Sequence, residues 1–270
     1  MMRLRSGCNR LCRRVGRGRR AWWRLGPALL TLLALTLAAC GGHVLPEIHS
    51  QGDRLATARA LYDRGSYGDA SELLKNIIDS GAGSARIDEA IYLLGQCYLT
   101  LHEWSMATEQ FERIARDYPE SDSSGSAAFR LGEAYYGQSR KPDFDQDRTR
   151  QALEQWSGYL RAYPGHWLNV EAQKRIMQAR TRLAQKALGT GDLYLKMRLM
   201  EPARAYYQVV IDEFGDTSWR PRAELGLAMV DAKEGRKAEA IERLREIERQ
   251  YPQLPIAQLA GYQRRKLERK

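Results

Sequence analysis

Cysteine is scarce in this chain, with four in 270 residues: Cys8, Cys12, Cys40 and Cys97. No second cysteine pair accompanies Cys8 and Cys12 to complete a zinc site, and so few cannot make a disulfide scaffold. Histidine is equally rare, at His43, His49, His102 and His166. There is no His-Glu-x-x-His helix, no phosphate-cradling glycine loop and no Gly-x-Ser-x-Gly elbow. With no nucleophile set beside a base, the expectation is a protein that is not an enzyme and holds no metal or cofactor. No acid occurs in the first 39 residues, which carry nine arginines. The apolar run that follows them, 25–39, is too short to span a bilayer.

That opening has the anatomy of a secretory leader, with a cationic start, an apolar middle and a small-residue end. It closes in Leu37-Ala38-Ala39-Cys40-Gly41, which resembles the processing box of bacterial lipoproteins. The resemblance implies cleavage before Cys40 and acylation of its thiol, with residues 1–39 removed and 40–52 serving as a tether. Several acyl chains, each buried CH₂ contributing about 0.8 kcal/mol, would anchor the protein firmly to a membrane. Gly41 after the cysteine implies, by family sorting behaviour, the outer membrane. Without the leader's arginines, 34 basic residues face 33 acidic ones, although the whole chain stands at +10. The basic footprint of a nucleic-acid binder is therefore missing, and no nucleic-acid partner is expected. Cys97, within Leu93-Leu94-Gly95-Gln96-Cys97-Tyr98, reads as a small core residue.

From Asp53 onward the chain repeats itself. Ala107 is followed at +4 by Phe111, at +7 by Ile114 and then by Tyr118-Pro119. Ala152, Ala203 and Ala240 open the same register with Trp156-Tyr159, Tyr207-Val210 and Leu244-Ile247, and Ala70 opens a first copy with Leu74 and Ile77. Offsets of four and seven place these side chains on one helix face. The proline after three of the copies cannot continue the helix. A partner segment precedes each copy, and in four of them a small residue lies 12 positions before the alanine: Ala58, Gly95, Gly191 and Ala228. This pattern resembles the tetratricopeptide repeat. It implies an all-α superhelix of five helix pairs, closed by a C-terminal capping helix over 255–270.

The period fails twice. Between Gly132 and Ala152 an insertion includes Lys141-Pro142-Asp143-Phe144-Asp145-Gln146-Asp147. Its alternating acids lack the glycine and the bidentate glutamate of a calcium loop, so they read as capping and solvated loop residues. The second failure lies between Pro164 and Gly191. The stretch 168–188 has no Gly or Pro and predicts one long helix to about Lys196, projecting beyond a regular superhelix, with Gly189 and Gly191 both packing closely on a neighbour. It divides the array into front repeats, 53–166, and back repeats, 167–270.

In tetratricopeptide arrays the first helix of each pair lines the concave groove. Counting from the small residues selects Arg59, Tyr62, Tyr92, Gln96, Leu99, Phe129, Glu133 and Tyr136 in the front half, an aromatic strip suited to an extended apolar peptide. The back half gives Leu188, Asp192, Leu195, Arg222, Leu225 and Met229, a mixed surface suited to a folded partner.

A lipoprotein leader, five such pairs, an Asp-x-Asp-Gln insertion ahead of Trp156, and a long helix carrying Arg182-Leu183-Ala184 and Leu193-Tyr194-Leu195-Lys196 together resemble the BamD family of outer-membrane assembly factors. The resemblance covers about 53–252. It implies a lipid-anchored scaffold on the periplasmic face of the outer membrane. The front repeats would receive unfolded outer-membrane proteins, and the back repeats would dock the BamA-type β-barrel insertase. The alternative is a periplasmic tetratricopeptide adaptor of the Tol-Pal type, coordinating envelope or cell-wall machinery.

Overall fold

The computed structural model describes residues 51–81 and 86–269. The leader, Cys40 and the tether up to residue 50 lie outside that range. Eleven helices occupy the described residues, with no strand among them. They are α1 (Gln51–Asp63), α2 (Tyr67–Ser80), α3 (Ile87–Thr100), α4 (Trp104–Asp117), α5 (Ser124–Gln138), α6 (Asp147–Ala162), α7 (Asn169–Lys196), α8 (Met200–Glu213), α9 (Arg220–Lys233), α10 (Lys237–Gln250) and α11 (Pro255–Glu268). Each helix packs chiefly on its neighbours in sequence. The result is five antiparallel pairs and a terminal helix, an all-α tetratricopeptide array. α1 opens two residues before the sequence-expected start.

The alanine register explains the core. Ala70-Leu74-Ile77, Ala107-Phe111-Ile114, Ala152-Trp156-Tyr159, Ala203-Tyr207-Val210 and Ala240-Leu244-Ile247 are all buried. A side chain of this size gains about 1.5–3 kcal/mol on burial, so these faces dominate the stability of each pair. α4 stops where Tyr118 donates its N–H to the Ile114 carbonyl at 2.9 Å and Pro119 follows. Four of the five turns within a pair use a left-handed residue, as at Gly65 (φ 83°) and Gly235 (φ 83°). His102 and Arg198 take the same place at φ 61° in two other pairs.

The small residues of the first helices have a partner in the second. A Cβ on Gly95 would lie 2.7 Å from the Phe111 ring, one on Gly132 2.3 Å from Trp156, and one on Gly191 2.8 Å from Tyr207. Where the residue four after the key alanine is a leucine (Leu74, Leu244), the small residue is an alanine instead (Ala58, Ala228), and all four are fully buried. Volume is thus conserved pair by pair, as close packing demands.

At the first break in the period Asp143, Asp145 and Asp147 are exposed, and Asp145 accepts from the Asp147 N–H at 3.2 Å, but the residue between Asp145 and Asp147 is not solvated. The insertion is closed by Gln146, only 2% exposed. Its Nε2 lies within donating distance of the carbonyls of Lys141 (2.8 Å), Asp145 (3.1 Å), Phe144 (3.2 Å) and Arg140 (3.3 Å), and its Oε1 accepts from Thr149 Oγ1 at 2.8 Å.

At the second break the expected long helix is present, but it does not project. Leu168, Ala172 and Ala179 of the α6–α7 turn and α7 share a core with Phe129 and Trp156. Leu183, Ala184, Ala187 and Leu188 share another with Tyr207 and Val210. Apolar surface along its whole length thus holds α7 against both halves. Only Gly191 makes the close approach expected of the two glycines, since nothing lies within 4 Å of a Cβ built on Gly189.

Candidate functional site

A cleft of ≈ 330 Å³ opens on the front repeats, lined by Tyr62, Gln96, Leu99, Thr100, Trp104, Arg130, Glu133, Tyr136, Gly137, Trp156 and Arg175. Five of the residues picked from sequence therefore share one wall: Tyr62, Gln96, Leu99, Glu133 and Tyr136. Tyr92 stands behind it and accepts from Gln96 Nε2 at 2.8 Å. Phe129 does not face the cleft. It is 1% exposed, and its ring meets Tyr159 at 5.8 Å and Trp156 at 6.4 Å, inside the core between pairs. Arg59 is also apart from the cleft, on the exposed side of α1, where it pairs with Glu89. The two departures occupy different repeat positions, Arg59 one residue after Ala58 and Phe129 three before Gly132.

The sequence reading missed Trp104, Arg130, Trp156 and Arg175. Arg175 belongs to α7, and only the packing of that helix against the front half brings it to the cleft. Glu133 accepts from Arg130 at 2.5 Å and faces Arg175 at 3.1 Å. Burial works against the Arg130 charge, but Glu133 and Tyr92 more than offset it. Arg175 also reaches Glu171, its Nε 3.2 Å from that carboxylate, so two guanidiniums meet two carboxylates. The Nε of Arg130 is buried without a hydrogen-bond partner, an unused donor beside the cleft. The apolar side is aromatic, with Tyr136 and Trp156 rings 5.7 Å apart and the Arg182 guanidinium 4.3 Å above Tyr136.

In the back half, Asp192 accepts from the Tyr207 hydroxyl at 2.7 Å and faces Arg222 at 3.6 Å. Burial, then the Asp192 bond, pushes the Tyr207 hydroxyl far above its usual range, so it remains a donor. Leu195 is half-buried and Met229 half-exposed, while Leu188 and Leu225 are buried in the core and offer nothing to a partner.

His166 is half-buried, with its Nδ1 2.7 Å from the Tyr159 hydroxyl. Among the described residues no group of three or more His, Cys, Asp or Glu could hold a metal ion. No described helix is long and apolar enough to cross a membrane.

The model of the outer membrane lipoprotein family YfiO matches residues 49–223, about two-thirds of the chain. The chain belongs to that family. A tetratricopeptide-repeat model matches 222–253, the last pair. Among curated proteins, outer membrane protein assembly factor BamD of Caulobacter vibrioides is 23% identical over 197 residues, which cover 71% of this chain and 65% of that protein. The aligned region thus spans just under two-thirds of the relative's length. Solved structures with a similar arrangement include a thermophilic tetratricopeptide protein of Thermus thermophilus (18% identity, 82% of this chain and 100% of that chain, TM-score 0.37). Another is a tetratricopeptide protein of Bacteroides fragilis (12% identity, 82% and 100%, TM-score 0.46).

Proposed function

We propose that this family member is a lipid-anchored, non-enzymatic scaffold of the β-barrel assembly machinery on the periplasmic face of the outer membrane. In this reading, residues 1–39 are the leader, Cys40 carries the lipid, 40–52 form the tether, and 53–166 and 167–270 are the front and back halves. The front cleft binds extended segments of unfolded outer-membrane proteins. The back half docks a BamA-type insertase through the face of Asp192, Leu195, Arg222 and Met229.

The observation that carries the reading is the cleft itself. An unfolded barrel strand presents alternating apolar side chains and unpaired backbone carbonyls. The aromatic wall of Tyr62, Trp104, Tyr136 and Trp156 suits the first. The unpartnered Nε of Arg130 suits the second. Family membership and the relative named as an assembly factor favour this client over other extended peptides.

The test is site-specific photo-crosslinking in cells. A crosslinker at Tyr136 is expected to trap unfolded outer-membrane proteins, and one at Met229 a BamA-type barrel protein. Cys40→Ser is expected to move the protein from the membrane to the soluble fraction. Purification of the anchored protein from membranes without any BamA-type partner would refute the docking role. An empty crosslink at Tyr136 would refute the client role.

A further inference from the structure

A dense charge cluster of the back repeats gathers around one buried carboxylate. Asp231 of α9 is 2% exposed and accepts from three arginines: Arg204 of α8 (2.7 Å), Arg236 of the α9–α10 turn (2.8 Å) and Arg243 of α10 (2.7 Å). Glu234 takes Arg204 at 2.6 Å and also Arg236. Three guanidiniums against two carboxylates leave an excess positive charge. A purely internal knot would bury its cations together with its anion. Here the three arginine side chains stay 30%, 43% and 48% exposed.

Each arginine uses only part of its fork. Among the described residues, no hydrogen bond takes Nη1 of Arg204 or Arg236, or either Nη of Arg243. Asp231 therefore acts as an inward anchor that fixes three planar forks while their outer edges face solvent. A ligand meeting pre-set forks loses little rotamer entropy on binding.

The cationic surface also extends beyond the knot. Lys233 Nζ donates to the Leu195 carbonyl at 3.2 Å, which sets the α9–α10 turn beside the end of α7. Exposed Lys196 and Arg198 lie on that side, and exposed Lys237 opens α10. Two adjacent turns thus form a basic strip. Arg222 and Asp231 are nine residues apart on α9, about 180° around its axis, so the Asp231 cluster points away from Arg222, while the Lys233 end of the strip borders Leu195 of the proposed docking face.

We infer that this strip docks an acidic segment of a partner protein, whose carboxylates seat on the outer edges of Arg204, Arg236 and Arg243. Exposed Glu201 and Glu239, one turn before Arg204 and Arg243 on the same helices, break the strip into separate cationic points. A flat anionic lipid surface would meet those glutamates, whereas a chain of spaced carboxylates can bypass them. The inference does not depend on the identity of the client in the front cleft or of the partner at the Asp192–Arg222 face.

The test uses the detergent-solubilised full-length protein and a fluorescein-labelled glutamate-rich peptide, followed by fluorescence anisotropy. Wild type is expected to bind with an affinity that falls as salt rises. Arg243→Gln is expected to weaken binding about tenfold, the size of one charge-assisted contact. Lys237→Glu, at an exposed site with no side-chain partner, is expected to weaken it with an unchanged melting temperature, and Arg222→Gln to leave it unaltered. If Arg243→Gln fails to fold, Lys237→Glu alone decides. The proposal is overturned if wild type does not bind, or if Lys237→Glu binds as tightly as wild type. It is also overturned if the peptide is displaced by phosphatidylglycerol vesicles that bind the strip themselves.

Discussion

Gly95→Ala puts a methyl group where the Phe111 ring already lies. The new Cβ would sit 2.7, 2.8 and 3.1 Å from three ring atoms, against an ordinary contact beginning near 3.4 Å. Phe111 is fully buried, so the ring cannot move aside into solvent. Overpacking of this kind costs about 1–3 kcal/mol. Against it stands the gain from removing a mid-helix glycine, about 0.5–1 kcal/mol. The net expectation is a loss of about 1–2 kcal/mol. Phe111→Leu alone leaves a partial cavity and is expected to cost about 1–2 kcal/mol.

The double variant rebuilds the alanine–leucine combination of Ala58 with Leu74 and Ala228 with Leu244, so it should lose less than the sum. The expected coupling energy is about 1 kcal/mol. Gly189→Ala in α7 serves as the control. Nothing lies within 4 Å of its Cβ, so only the helix-propensity gain remains and the protein should be stabilised. Urea unfolding followed by far-ultraviolet circular dichroism gives the four midpoints. Additive effects of Gly95→Ala and Phe111→Leu, or a neutral Gly95→Ala, would refute volume complementarity as the rule that pairs these helices.

Three further outcomes follow from particular contacts. Gln146→Ala strips the insertion's carbonyls and the Thr149 hydroxyl of their buried partner and should cost about 2–4 kcal/mol in a urea melt. Burial pushes the Cys97 thiol up to about 12, so iodoacetamide at mildly alkaline pH should label the unfolded chain and spare the native one, as read by mass spectrometry. The bond from Arg180 holds the Asp216 carboxyl below its usual value. Its stabilising contribution is present above the unfolded carboxylate pKa and is lost as pH falls through the lower folded value. Asp216→Asn should therefore flatten the acid limb of melting temperature against pH, and an unchanged acid limb would count against the pair.

The family to which the chain belongs was legible in its sequence because two kinds of constraint are local. Helix periodicity is written every three or four residues, so the five alanine registers and the closing helix could be counted without coordinates. The insertion and the long helix stood out because they broke that count. The cleft was legible in part: Tyr62, Gln96, Leu99, Glu133 and Tyr136 follow from repeat position alone. Phe129 obeys the same count yet lies inside, because its ring fills the space between pairs that Trp156 and Tyr159 border.

What depended on the tertiary structure was every feature made by residues far apart in the chain. Arg175 reaches the cleft only because α7 lies along the front core instead of leaving it. Gln146 becomes a plug only when the insertion folds around it. Asp231 gathers arginines from α8, from the turn before α10 and from α10 itself, a convergence that no periodic reading contains. Side-chain spacing along the sequence determined the helices and their buried faces. The charges and clefts between helices were set by how those faces stack, because long-range packing alone decides which polar side chains meet.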